Sequence, residues 1–256
     1  MWIALGVALA LIVAGAIVFV ATRSDPAAST VPPVRELEAS VEPGQVSLSW
    51  KAPTGEEPIG GYAISRNGED LMTLDDSVTA FDDITVRLGF RYRYEVVALR
   101  EGSASDPVAV AVRMPDPPVA TAILAGDYRV RFTVSAAQGW ETIDAGDRSQ
   151  QTWTFTSNGE RLVGSSLGGT WRMSLVRTNL PWFRGTDTAQ LSSCSFTPVT
   201  DTITVRVRPT AGRMIGGRWM ATRFVGTYRD VSPSATAGLY TCGGSSYSAQ
   251  VEGALR

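Results

Sequence analysis

After residue 22 the sequence alternates apolar and polar residues in short runs separated by glycine-rich turns, and this pattern restricts the fold. The runs recur at roughly the 8–12-residue spacing typical of sandwiches and barrels, and no stretch has the period of a helix. Val46, Leu48 and Trp50 share one face of a run, and Tyr62 with Ile64 share a face of the next. The sequence therefore predicts that the chain beyond its N-terminal segment is all-β.

Proline-rich breaks divide the chain into two domains. The stretch 24–33 reads SDPAASTVPP, and residues 114–118 read MPDPP. Small, polar, proline-containing stretches of this kind are typical of linkers. We predict a linker over 23–33, a domain over 34–114, a second linker over 115–120 and a second domain over 121–256.

The first 22 residues predict a transmembrane anchor. Residues 2–21 are uncharged and almost wholly apolar, and twenty helical residues span roughly 30 Å, the thickness of the hydrocarbon layer. The alternative is a cleaved signal peptide, but the run lacks a basic leader and a good small-residue cleavage site. Arg23 alone would favour a cytoplasmic C-terminal part, whereas the cysteine pair and the domain types favour an extracytoplasmic one. We expect a single-pass cell-membrane protein with its domains outside.

The composition excludes several kinds of site. The sequence has no histidine, so it cannot build a Ser-His-Asp or Cys-His nucleophile, and its two cysteines cannot make a zinc cage alone. We therefore expect neither a metal nor a cofactor. The net charge of −2 gives no support for a nucleic-acid partner, although residues 31–115 hold 14 acidic and 8 basic side chains and residues 116–256 hold 10 and 14.

The first domain resembles a fibronectin type III domain over residues 31–115. The matching positions, in order, are Val34 and Leu37, Leu48-Ser49-Trp50, Pro53, Ile59-Gly60-Gly61-Tyr62, Ile64, Phe81-Asp82-Asp83, Val86, Gly89, Tyr92, Tyr94, Val96, Ala98 and Ser105-Asp106-Pro107. The resemblance implies a seven-strand immunoglobulin-like sandwich, with Trp50 in its core and the Tyr92 hydroxyl bonded to upstream backbone. With the inward-facing Tyr62, these residues form the expected structural core. The stretch GFRYRYEVVAL (89–99) is then a core strand with two solvated arginines, and not an aromatic surface for a ligand.

The second domain is predicted to form about eight antiparallel strands closed into a barrel or a rolled sandwich. It is similar to uncharacterised β domains of actinobacterial cell-envelope proteins, on the positions Trp153-Thr154-Phe155, Cys194, Gly217 to Thr222, Gly226-Thr227 and Cys242. Gly126-Asp127-Tyr128 is also similar to the opening of lipocalin-like barrels. The first resemblance implies a cell-envelope setting and no activity.

Cys194 and Cys242 lie in the same predicted extracytoplasmic domain. Two cysteines in one such domain most simply form a disulfide, and the alternative is a pair of free thiols in a cytosolic protein. We predict the disulfide.

Three sets of residues are candidates for chemistry. Glu141, Asp144 and Asp147 lie in one loop beside Trp140, and a carboxylate pair beside an aromatic ring suits a glycosidase, although such loop carboxylates are usually only solvated. Among the tryptophans of the second domain, Trp182 is the candidate for ligand contact, whereas Trp153, Trp171 and Trp219 are expected in the core. A third set consists of Arg206, Arg208, Arg218 and Arg223, which could meet acidic wall polymers or lipid headgroups, or form a solvated strand face.

These observations favour a membrane-anchored, extracytoplasmic binding, adhesion or structural protein of the cell envelope, with no evident catalytic activity. Its expected partners are the membrane, through residues 2–21, and a cell-wall glycan or envelope protein. The alternatives are a glycosidase or an accessory protein of polysaccharide degradation, and a small-ligand carrier of the lipocalin-like type. An apolar enclosed pocket would favour the carrier, and a cleft with two carboxylates would favour the hydrolase.

Overall fold

The computed structural model describes residues 31–140, 142–157, 161–167 and 170–256. Its regular structure is β-strand apart from one short 3₁₀ turn, which confirms the prediction of an all-β chain. In these ranges no helix is long and apolar enough to cross a membrane. The anchor predicted for residues 1–22, and the linker as far as residue 30, lie outside the described residues.

The first domain is a sandwich of two antiparallel sheets. One sheet has the order β1-β2-β5, and the other has the order β4-β3-β6-β7 with β8 also paired to β6. The strands are β1 Arg35–Glu42, β2 Gln45–Lys51, β3 Gly61–Arg66, β4 Glu69–Leu74, β5 Ala80–Asp83, β6 Arg91–Arg100, β7 Ser103–Ala104 and β8 Val108–Arg113.

Period-two alternation places the core of this sandwich. In β6 the side chains of Tyr92, Tyr94, Val96 and Ala98 are buried, whereas Arg91 and Arg93 on the opposite face are exposed. Trp50 and Tyr62 come from different sheets and pack edge to face, with ring centroids 5.3 Å apart. The two sheets are thus joined through the residues that the sequence pattern places inward.

The connection between the domains is held by hydrogen bonds on both sides. The Pro115 carbonyl accepts from the Gly89 amide at 2.8 Å, and the Pro118 carbonyl accepts from the Trp219 indole at 3.2 Å. A Cβ at Gly89, whose φ is +80°, would lie 2.9 Å from the Met214 side chain, so that side chain packs against the sandwich. The second linker is therefore docked to both domains.

The second domain is an eight-stranded antiparallel sheet that closes on itself. A 3₁₀ turn at Val119–Thr121 precedes it. Its strand order is β10-β11-β12-β13-β14-β15-β18-β9, and β10 also pairs with β9. The strands are β9 Gly126–Gln138, β10 Arg148–Ser157, β11 Leu162–Ser166, β12 Arg172–Asn179, β13 Trp182–Cys194, β14 Thr197–Ile215, β15 Arg218–Ser232, the short ribbon β16 Ala235–Ala237 with β17 Tyr240–Cys242, and β18 Ser245–Leu255.

Aromatic side chains fill the interior of this barrel. Trp153 is fully buried and packs edge to face on Trp171, with ring centroids 5.0 Å apart, and it stacks on Phe224 at 5.9 Å. Gly253 lets the Phe224 ring approach the neighbouring strand, because a Cβ at this position would overlap that ring. The inside of the barrel is a packed core.

A disulfide joins Cys194, at the end of β13, to Cys242 in β17, which confirms the predicted pairing. It attaches the β16–β17 ribbon to the end of a barrel strand.

Candidate functional site

The loop carboxylates proposed for glycoside chemistry lie in an exposed turn. Asp144 and Asp147 are both exposed, and the Asp147 carboxylate accepts a hydrogen bond from the Asp144 amide at 2.8 Å. The turn is closed further by the Gly146 amide, which donates to the Val134 carbonyl at 2.8 Å. Glu141 lies outside the described residues. The Asp147 carboxylate therefore acts as a hydrogen-bond acceptor that stabilises this turn.

The tryptophans of the second domain have different environments. Trp153 and Trp171 are inside the barrel, whereas Trp219 is half-buried against the linker carbonyl of Pro118. Trp140 packs edge to face on Tyr247, with ring centroids 5.9 Å apart. Trp182 is the one of these five whose ring contacts arginine side chains in the described structure.

Trp182 lies on the outer surface at the start of β13, next to two arginines of β14. The guanidinium carbon of Arg206 is 4.0 Å from the centroid of the indole ring, and that of Arg208 is 5.3 Å away. Stacking on an indole face is favourable for a guanidinium and leaves the N–H groups at its edge free to donate. Trp182 therefore orders two cations on the surface.

These two arginines belong to a larger set on the outside of the barrel, which we call the arginine belt. Its members are outward-pointing arginines on β9, β10, β13, β14 and β15; seven are exposed and Arg208 is half-buried. The belt consists of Arg129, Arg131, Arg148, Arg184, Arg206, Arg208, Arg223 and Arg229. Arg213 on β14 and Arg218 on β15, by contrast, lie at the hairpin end of these strands and are not counted in the belt.

Strand register brings the belt together. Arg184 on β13 is directly opposite Arg206 on β14, and Arg229 on β15 is directly opposite Thr204 on β14. Residues two apart on a strand are about 7 Å apart, and neighbouring strands are about 4.8 Å apart. Neighbouring belt arginines are therefore within one Debye length at physiological salt, roughly 8 Å, and act together on an anion.

The belt is not neutralised by the carboxylates that the structure describes. All five ion pairs among the described residues lie in the sandwich or its linker, between Lys51 and Glu36, Arg66 and Asp83, Arg93 and Glu95, Arg100 and Glu57, and Arg113 and Asp116. Two outward carboxylates lie near the belt. Asp127 on β9 accepts a hydrogen bond from Thr154, and Glu252 on β18 is directly opposite Arg131. Within the described part of the barrel no belt arginine forms an ion pair, and seven of the eight are exposed.

Three open hollows lie along the belt. The first is about 550 Å³ and is lined by Thr178, Asn179, Arg184, Thr204, Arg206, Thr227 and Arg229. The second, of about 590 Å³, includes Arg131, Arg148 and Glu252, and the third, of about 420 Å³, includes Arg129, Arg131 and Arg223. Among the residues that the structure describes, the first hollow is lined by three arginines and no carboxylate.

Sequence reasoning missed a buried carboxylate pair at one end of the barrel. Asp201 on β14 and Asp230 on β15 are 1% and 4% exposed. Asp201 accepts from the Leu191 amide at 3.0 Å and from the Ser192 hydroxyl at 2.9 Å, whereas the Oδ1 atom of Asp230 has no hydrogen-bond partner among the described residues. Burial, and secondly the charge of Asp201, raise the pKa of Asp230 to about 6. Both aspartates continue the inward alternation of Ile203 and Tyr228, the pattern from which the pair could have been found.

Comparisons with known proteins identify no family. No family model and no curated protein matches the chain. The spore cortex lytic enzyme SleM of Clostridium perfringens is 20% identical, with a TM-score of 0.29, over 32% of this chain and 28% of the enzyme. The FN1–FN3 domains of chicken CNTN1 are 8% identical, with a TM-score of 0.32, over 84% of this chain and 95% of theirs. Both TM-scores are too low to support an argument about function.

Proposed function

We propose that this chain is a membrane-anchored, extracytoplasmic binding protein of the cell envelope, and that its barrel domain binds anionic polymers through the arginine belt. The single observation that carries the proposal is a set of eight outward arginines without an ion pair in the described structure. Guanidinium groups bind phosphate and carboxylate with paired hydrogen bonds. A polymer that offers repeated anions can contact several of them at once.

The sandwich acts in this proposal as a spacer of the fibronectin type III family. Its two sheets have the orders β1-β2-β5 and β4-β3-β6-β8, and Tyr92 accepts a hydrogen bond from the Arg87 amide at 2.8 Å. Sheet order and the tyrosine bond support the family assignment. The net negative charge of residues 31–115 keeps polyanions on the barrel and away from the spacer.

The structure favours binding over the two alternative functions. The aromatic side chains of Trp153, Trp171 and Phe224 fill the space that a lipocalin-like carrier would need for its ligand. A glycosidase needs two carboxylates beside a substrate cleft. Asp144 and Asp147 belong to a surface turn, and the Asp201 and Asp230 side chains are both buried. The disulfide supports an oxidising, extracytoplasmic location.

The proposal is tested by binding of the full chain, in an uncharged detergent, to immobilised polysaccharides that differ in charge. We expect retention on phosphorylated dextran and on polygalacturonate at low ionic strength, and none on neutral dextran. Affinity should fall steeply between 50 and 300 mM salt, because exposed charges are screened over that range. Retention on neutral dextran that salt does not change would contradict the belt as the binding surface. Stronger binding to single-stranded DNA than to either polysaccharide would contradict the choice of partner.

A further inference from the structure

The first hollow of the belt has features that the rest of the belt lacks. Arg184 and Arg206 are directly opposite each other on neighbouring strands, and like charges in this position are destabilising. No described carboxylate pairs with either guanidinium. The two guanidiniums therefore repel each other in the free protein. This arrangement is expected where an anion binds between them.

All the described side chains that line this hollow can donate hydrogen bonds. Arg229 completes the cationic group from β15, and hydroxyls come from Thr178, Thr204 and Thr227. Thr227 is directly opposite Arg206, and Thr204 is directly opposite Arg229, so hydroxyls and guanidiniums alternate across two strands. The hollow thus offers donors from β12, β13, β14 and β15.

Stacking on Trp182 restricts one of these donors before any ligand arrives. The Arg206 guanidinium lies 4.0 Å from the indole centroid, on the side of the hollow nearest the start of β13. A guanidinium that is held on a ring loses less side-chain entropy on binding than a free one. The hollow is therefore partly ordered for its ligand.

We propose that this hollow is a specific site for a phosphomonoester carried on a saccharide of the envelope polymer, and this inference rests on the proposed function. A carboxylate presents two oxygens in one plane, and one bidentate arginine contacts both of them. A phosphomonoester carries close to two negative charges at neutral pH and has three free oxygens in a tetrahedral arrangement. The three guanidiniums of the hollow, which come from three strands, match the tetrahedral oxygens of a phosphomonoester better than the planar oxygens of a carboxylate.

The test compares glucose 6-phosphate with glucuronic acid at equal ionic strength, using the full chain and calorimetry or ³¹P and ¹⁵N NMR. We expect glucose 6-phosphate to bind about tenfold more tightly, and its affinity to fall below pH 6 as the phosphate gains a proton. Arg206→Gln should weaken this binding about tenfold, the scale of one charged hydrogen bond. Arg218→Gln, which removes an exposed barrel arginine outside the belt, is the matched control and should have little effect. Arg229→Gln repeats the test without disturbing the Trp182 stack.

Equal affinity for the two sugars, or equal effects of Arg206→Gln and Arg218→Gln, would overturn the inference. Retention of the chain on charged polysaccharides shows whether only the specific phosphate site is wrong or the polymer-binding function is wrong as well. If the chain is retained equally on polygalacturonate and on phosphorylated dextran, the belt binds polyanions and the specific site is wrong. If glucose 6-phosphate binds selectively while the chain is retained on neither polymer, the site stands and the polymer-binding function is wrong.

Discussion

The guanidinium of Arg206 lies face-on to the indole of Trp182, 4.0 Å from its centroid, on the outside of the barrel. We expect Trp182→Leu to lower the free energy of unfolding by about 0.5–1 kcal/mol, the typical size of an exposed cation–π contact. The same change should raise the mobility of the Arg206 side chain and weaken polyanion binding several-fold. Urea denaturation and ¹⁵N relaxation of the Arg206 Nε–H group measure the two effects. Unchanged relaxation would show that the indole does not order this arginine.

The Tyr92 hydroxyl accepts a hydrogen bond from the Arg87 amide at 2.8 Å. Tyr92→Phe removes the acceptor and leaves that amide without its partner, so stability should fall by about 1 kcal/mol. Urea denaturation measures the change, and polyanion binding at the barrel serves as the control because it should not respond. Loss of binding at unchanged stability would mean that this strand contributes to the binding surface.

The disulfide between Cys194 and Cys242 spans 48 positions of the sequence. On the chain-entropy model a loop of this length stabilises the folded state by about 4 kcal/mol. The double variant Cys194→Ser, Cys242→Ser should lose about that amount in guanidinium denaturation. A reducing agent should destabilise the natural chain and leave the double variant unchanged. Equal stability of the two proteins under oxidising conditions would contradict a structural role for the bridge.

The buried Asp230 makes stability depend on pH. Because burial and Asp201 raise its folded pKa to about 6, above the value of 3.8 for a free aspartate, the folded state binds this proton more tightly than the unfolded state. The stabilisation of the folded state by this proton is fully present below about pH 4 and is lost as the pH rises through about 6. The groups around it are Asp201, Tyr228 and Tyr247, and the chain has no histidine to titrate in the same range.

Asp230→Asn keeps the shape of the side chain and removes the charge. We expect the variant to be more stable than the natural chain at pH 8, by up to roughly 3 kcal/mol, and nearly equal at pH 4. Thermal denaturation from pH 4 to pH 8 measures the difference. A variant that is less stable at pH 8 would indicate that the ionised carboxylate has a partner that stabilises it.

The strands and the cores were accessible to sequence analysis because alternation is local. Val46, Leu48 and Trp50 share a face by their spacing alone, and all three are buried. The arginine belt could be predicted only in part from the sequence. Arg206 and Arg208 share a strand face by spacing, but their contact with Trp182 depends on the pairing of β13 with β14. Arg218 and Arg223 are close in sequence, yet only Arg223 belongs to the belt.

The arginine belt as the surface that binds anionic polymers is the central claim, and charge-matched variants test it most directly. One variant replaces Arg184, Arg206, Arg208 and Arg229 with Gln. The control replaces four sandwich arginines, Arg91, Arg93, Arg100 and Arg113, and so changes the net charge equally. The measurement is the affinity for phosphorylated dextran at several salt concentrations. The belt variant should lose most of the affinity and of its salt dependence, while the control should retain both. Equal losses in the two variants would contradict the claim.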